Sequence, residues 1–145
     1  TGGNSKLFLN HIGGMQQHLA GAMALIAPNV NSYRRIIKYM SAPINTHWGE
    51  ENRTVGLRVP KSGQAGRRLE NRVPGADANP YLAIAASLAC GYLGMKQKLT
   101  PDEPRSGNFR RRGWTQGVTW WCTMRHLMTT DASPTLMMVL ESPWC

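Results

Sequence analysis

Arg68, Glu70 and Arg72 alternate along residues 67–73. In an extended chain alternate residues share one face. Such a face carries two guanidiniums with a carboxylate between them, and burying it dry is costly unless it lines a wet cleft. Converging arginines suit a polyanion such as a nucleotide phosphate. One carboxylate among them suits a divalent cation bound to that phosphate. The same alternation is also that of a cross-strand ion-pair ladder on a solvated face, and the residue pattern leaves both readings open. Upstream, Arg53, Val55, Leu57 and Val59 share one parity, while Arg58 has the other. Residues 34–72 hold nine basic side chains against three acids, Glu50, Glu51 and Glu70.

Two strands must position this set. Thr54-Val55-Gly56-Leu57-Arg58-Val59 alternates and is rich in β-branched residues, and Pro60 stops it. Residues 67–73 make the second strand, closed by Pro74-Gly75. Between them, Lys61-Ser62-Gly63-Gln64-Ala65-Gly66 is a turn by composition. The spacing predicts an antiparallel hairpin with a loop of about six residues. Residues 79–95 predict the best helix. Asn79 is a natural cap, Pro80 sits at the first helical position, and Gly94 is the expected stop. Leu82, Ala85, Ala86, Ala89 and Leu93 form its expected packing stripe. A second helix is predicted over residues 11–27, from Ile12, Met15, Leu19, Met23 and Ile26, with Asn10 as its cap and Pro28 as its end. Gly13, Gly14 and Gly21 cost it helix propensity, which points to close packing. A short helix is predicted over residues 31–38.

The chain has 145 residues, enough for one domain at most. Apolar residues make up 41% and charged residues 17%, which excludes disorder of the low-hydrophobicity kind. No run approaches the roughly 18 apolar residues of a membrane span. The N-terminus lacks the order of a signal peptide and an initiator Met, as expected of a chain cut from something longer. Three Cys without a CxxC pair disfavour a disulfide framework or Cys-based zinc site, and make a reducing cytoplasm the expected location. His11, His18, His47 and His126 show no metal-ligand spacing. No GxGxxG or GxxxxGKS loop supports Rossmann or P-loop nucleotide binding. Ser41 and Ser62 lack the His-Asp setting of a serine hydrolase. His47-Trp48 has two readings, stacking on a base or packing, of which packing is favoured. Residues 109–145 hold four of the five Trp and the run Arg110-Arg111-Arg112, and have no clean period. They are expected to pack loosely or be disordered.

Several stretches, in order, carry a resemblance. They are Pro28-Asn29-Val30-Asn31-Ser32-Tyr33-Arg34-Arg35, Ala42-Pro43-Ile44-Asn45, Trp48-Gly49-Glu50-Glu51-Asn52-Arg53-Thr54, Leu57-Arg58-Val59-Pro60, Arg67-Arg68-Leu69-Glu70-Asn71-Arg72 and Gly75-Ala76-Asp77-Ala78-Asn79-Pro80-Tyr81-Leu82-Ala83. Together they resemble the C-terminal catalytic part of the glutamine synthetase family, over about residues 4–107. The resemblance implies an α+β fold, a partial catalytic domain whose antiparallel strands form part of an active-site barrel with flanking helices. It divides the chain into that partial domain, residues 1–108, and an atypical tail, residues 109–145, without family resemblance, as a shifted reading frame would produce.

The resemblance also implies roles. Arg35 is similar to the family's glutamate-binding Arg, and Arg53 to the one that contacts the transferring phosphate, which makes it the catalytic candidate. Arg58 and Arg68 resemble nucleotide-binding arginines. Glu70 resembles a metal-ligand carboxylate, and Arg72 the Arg that holds the substrate carboxylate or γ-phosphoryl intermediate. The implied reaction is ATP-dependent amide formation with Mg2+ or Mn2+: ATP phosphorylates the glutamate γ-carboxylate and an amine displaces phosphate. The implied partners are glutamate, ATP, and ammonia or a polyamine, in a ring-shaped homo-oligomer.

Two departures qualify this. Ser41 stands where glutamine synthetases proper carry a Glu that helps take a proton from ammonium, and Ser is no comparable base. The wording is closer to the γ-glutamylpolyamine synthetase branch, where the nucleophile is an amine. The family's β-grasp domain and Glu-x-Glu metal strand have no counterpart, so Glu70 is the one metal carboxylate matched. The reading is a fragment of a glutamate–ammonia or glutamate–amine ligase, expected to be inactive alone. The alternatives are a nonfunctional truncation product, or a basic nucleic-acid-binding module favoured by the +9 net charge. A carboxylate at the centre of the basic face disfavours nucleic acid.

Overall fold

The computed structural model describes residues 4–108. Helix α1, Lys6–His18, begins five residues before the expected start, because the Ser5 hydroxyl accepts a hydrogen bond from the Phe8 N–H at 3.2 Å. Asn10 is therefore no cap. It is buried within the helix, and its side-chain amide donates to the Leu99 carbonyl at 2.7 Å. The single helix expected over residues 11–27 is interrupted by a 3-10 turn, Leu19–Ala22, before α2, Met23–Ile26. Gly21 lies in that turn, where a Cβ would meet nothing, so its low helix propensity is not offset by packing. Helix α3, Val30–Arg34, is shorter than the expected 31–38.

The expected hairpin forms. Strand β2, Leu57–Val59, pairs antiparallel with β3, Glu70–Asn71, setting Arg58 opposite Glu70 and Leu57 opposite Asn71. Both strands are shorter than their alternation predicts. Residues 54–56 are held as loop by the buried Asn45, whose side chain accepts from Gly56 N–H at 3.1 Å and donates to the Thr54 carbonyl at 3.2 Å. A third strand, β1 at Trp48–Glu50, pairs parallel to β2 and was not foreseen. Parallel neighbours usually need a connection of about a dozen residues or more. Here the link spans only residues 51–56, closed by the Asn45 bonds. The sheet order is β1-β2-β3. The Trp48 carbonyl accepts from the Arg105 N–H at 2.8 Å, so the chain near residue 105 runs along β1.

Helix α4, Pro80–Gln97, starts as expected: the Asn79 side chain accepts from Tyr81 N–H at 3.0 Å, with Pro80 at the first position. It runs past Gly94 to a left-handed Lys98 at φ 55°. Its buried face is also not the expected stripe. Ala83, Ala86, Cys90, Gly91 and Gly94 are buried, whereas Leu82, Ala85, Ala89 and Leu93 are exposed. The reason is the crossing with α1. A Cβ on Gly14 would sit 2.5 Å from the Gly94 Cα, so backbone meets backbone and the smallest residues face inward. Ile12, Met15, Leu19 and Ile26, with Val55, Leu57 and Val73, complete the core.

Helices plus a small mixed sheet make an α+β fold. The three strands among the described residues form an open sheet, not a closed barrel. None of the described helices is long and apolar enough to cross a membrane. The expectation of a loose tail over residues 109–145 falls outside the described residues.

Candidate active site

The antiparallel register brings Arg58 onto Glu70: Arg58 Nη1 lies 2.9 Å from Glu70 Oε2. Arg68 Nη2 lies 3.4 Å from the other oxygen, Oε1. Arg58 Nη2 reaches a second carboxylate, Glu51, at 3.2 Å. Glu51 gets there because it takes a left-handed turn, φ 49°, as the chain leaves β1, and it also accepts from the Lys61 N–H at 2.6 Å. That backbone hydrogen bond, with the charge of Arg58, holds the Glu51 carboxyl below its ordinary range. For Arg58, burial opposes the charged form, but Glu70 and Glu51 outweigh it and strengthen its hold on its proton. Its Nε is buried without a hydrogen-bond partner among the described residues.

Alternation placed Glu70 between Arg68 and Arg72. Its observed partners are Arg68 and Arg58. Arg72 turns away to the backbone, its Nη1 donating to the Arg53 carbonyl and, at 3.4 Å, to the Val55 carbonyl. Those carbonyls need a donor because Asn45 keeps this stretch out of the sheet.

Arg72 and Arg35 instead share a cleft. With Met40, Ser41, Ala42 and Pro43 they line a cavity of about 400 Å³. Arg35, at the end of α3, donates through Nη2 to the Val73 carbonyl, while its Nε is buried without a partner among the described residues. Burial weakens Arg35's hold on its proton, and Asp77 partly restores it. Asp77 is fixed from the other side: the buried Ser32 hydroxyl donates to its carboxylate, with Asn29 at 3.5 Å. The Ser32 hydrogen bond leads in holding the Asp77 carboxyl low, with a smaller share from Arg35.

Of the expected site residues, Arg58, Arg68 and Glu70 therefore form one cluster, and Arg35 and Arg72 one cleft with Ser41. Arg53 joins neither by its side chain; it is exposed, and its positive charge lowers the Glu51 carboxyl slightly. Sequence reasoning missed Glu51 and the Ser32–Asp77 brace. The signal for Glu51 was its place beside a cationic strand, but the backbone turn that aims it is not written locally. Trp48 is buried and donates to the Asp102 carbonyl at 2.6 Å, which is the packing role.

A divalent cation does not fit the described residues by themselves. Both oxygens of Glu70 face guanidiniums, and no group of three His, Cys, Asp or Glu side chains among the described residues gathers to hold a metal.

The sequence model of the glutamine synthetase catalytic domain matches residues 1–119. The chain belongs to that family. Among curated members, the glutamate–isopropylamine ligase of a Pseudomonas species is 44% identical over 107 residues, covering 74% of this chain and 23% of the relative. The gamma-glutamylputrescine synthetase of Escherichia coli is 45% identical over 107 residues, with the same coverage. The glutamine synthetase of a Nostoc strain is 41% identical over 108 residues, covering 73% of this chain and 23% of the relative. The chain thus spans about a quarter of the length of the curated relatives it matches.

Proposed function

We propose that this chain carries part of the active site of an ATP-dependent γ-glutamyl ligase, in which glutamate is activated as an acyl phosphate and an amine or ammonia displaces the phosphate. One observation carries the reading: Arg72 comes from a segment far in sequence from Arg35 and Ser41, yet all three line one cleft. Two arginines lining one cleft suit the carboxylates of glutamate and the charge that develops on its γ-phosphoryl group. Arg35 binds glutamate, and Arg72 holds the substrate carboxylate or acyl phosphate. Arg58 and Arg68 face the nucleotide, and Arg53 contacts the transferring phosphate. Glu70 supplies one carboxylate toward a divalent ion, whose other ligands lie outside the described residues. Ser41, with no carboxylate, leaves room for an amine larger than ammonia. Two relatives point the same way, since their names are those of a glutamate–isopropylamine ligase and a gamma-glutamylputrescine synthetase. In this reading the site is completed by chain lying outside this one, so the 145-residue chain alone is inactive. The cytoplasm and a ring-shaped homo-oligomer are the setting the family resemblance implies.

The test is titration of the chain with L-glutamate, following the guanidinium N–H signals of Arg35 and Arg72 by NMR. Weak, saturable shifts at both, abolished by Arg35→Ala, support the reading. Signals unmoved by glutamate, or moved equally by chloride, contradict it.

A further inference from the structure

The cleft that holds Arg35 and Arg72 has an anion beside it that is not among its lining residues, Asp77. Burial opposes the charge on Arg35, and the charge of Asp77 favours it. The two side chains converge over Gly75. A Cβ on that residue would collide with Asp77 Oδ1 and come 2.9 Å from Arg35 Nε and 3.3 Å from Nη2, so only a bare Cα lets both approach. Arg35 Nε is buried with no hydrogen-bond partner among the described residues, so Asp77 acts on it as charge across Gly75 rather than through a bond. Asp77 is itself held in place. The buried Ser32 hydroxyl donates to its carboxylate from α3, the helix whose end carries Arg35. The Ala78 N–H closes a turn onto the Gly75 carbonyl at 3.2 Å, with Asp77 inside that turn.

We propose that Asp77, anchored by Ser32 and seated against Gly75, is a positioning residue that turns the Arg35 guanidinium toward a carboxylate of glutamate. This deepens the reading of the cleft as the glutamate site and rests on it. Two like charges share the cleft, and Arg72 repels Arg35. A long side chain left free to turn loses rotamer freedom when it must line up with a carboxylate, and binding is weakened by that loss. Asp77 draws the Nε edge of Arg35 toward Gly75, and the Val73 carbonyl accepts from Nη2. Together they fix the plane of the guanidinium fork before substrate arrives, and a planar fork is what recognises a carboxylate. Asp77 acts only through Arg35.

The test titrates the full 145-residue chain with L-glutamate, following the side-chain N–H signals of Arg35 by NMR, in the unsubstituted chain, Asp77→Asn and Ser32→Ala. Asparagine keeps the size of Asp77 and can still accept from Ser32, so it removes charge alone. Loss of an anion beside the cleft would by simple attraction tighten the binding of an anion. Weaker binding therefore reports lost position. The dissociation constant for glutamate is expected to rise roughly fivefold or more in Asp77→Asn, and in the same direction in Ser32→Ala. Unchanged or tighter binding in Asp77→Asn, beside an unsubstituted chain that binds, overturns the proposal and leaves the glutamate reading standing. Asp77 then serves stability only. An unsubstituted chain whose Arg35 signals ignore glutamate overturns the reading of the cleft, and the proposal with it. Should neither variant fold, the unsubstituted chain decides. A nuclear Overhauser contact between the Arg35 Nε–H and the Gly75 Hα protons, present without glutamate and kept with it, supports the placement, and its absence overturns the proposal.

Discussion

Arg58 is held by carboxylates from two different segments, Glu70 on β3 and Glu51 just after β1. Its side chain is 15% exposed, against 31% for Glu70 and 48% for Glu51. Glu70→Gln is expected to lower the urea midpoint more than Glu51→Gln, because the better buried partner is less screened by solvent. Combined with Arg58→Ala, Glu70→Gln is expected to add little, since both changes remove one interaction. Additive losses across that cycle would show that the two side chains do not depend on each other. The hairpin that carries Arg58 and Glu70 was legible in the sequence, from alternation and a turn-forming loop, but the Arg58–Glu70 pair was not, because it depends on the register of the two strands. Asp77 was not, because its partner Ser32 comes from a distant helix. Its carboxyl is held low, so its contribution is present above the ordinary carboxylate range and is lost as pH falls below it. The Asp77 contribution is expected to be flat from neutral pH to about 5 and to drop below about 4, the usual Asp range. Asp77→Asn is expected to shrink that drop, and an unchanged pH profile would rule out the brace.

The helices separate local from tertiary information. The start of α4 was readable from Asn79 and Pro80, since capping is chemistry between near neighbours. Asn79→Ala is expected to destabilise by ~1 kcal/mol in urea unfolding. The buried face of α4 was not readable from hydropathy, because a close crossing selects residues by size. Gly14→Ala puts a methyl 2.5 Å from the Gly94 Cα, where no flexible side chain is available to yield. It is expected to cost about 1–3 kcal/mol, the usual range for overpacking. Gly21→Ala is the contrast. Nothing lies within 4 Å of that site, so this change is expected to be neutral or to stabilise by up to ~1 kcal/mol. Equal effects of the two substitutions would remove the crossing as the reason for the glycines. Strand β1 escaped the sequence reading for a related cause: three residues carry no period, and its parallel pairing depends on the buried Asn45, just before it, bonding across to Thr54 and Gly56.

At the scale of the whole molecule, family membership and active-site chemistry belong to different lengths of chain. The described residues gather four arginines and Glu70 into a cluster and a cleft, with Arg53 exposed outside both, yet a metal-dependent phosphoryl transfer needs more oxygen ligands than they supply. The isolated chain is expected to attract ATP weakly, with an affinity that fades as salt is raised, and to release no phosphate when given glutamate and an amine. The most direct measurement of the central claim is phosphate release by a full-length glutamate–isopropylamine ligase in which residues 4–108 of this chain replace the matched stretch. The expected result is release that requires both glutamate and an amine and falls on the order of 100-fold or more with Arg72→Ala. Undiminished release in that variant would contradict the account, as would glutamate- and amine-dependent release by the 145-residue chain alone.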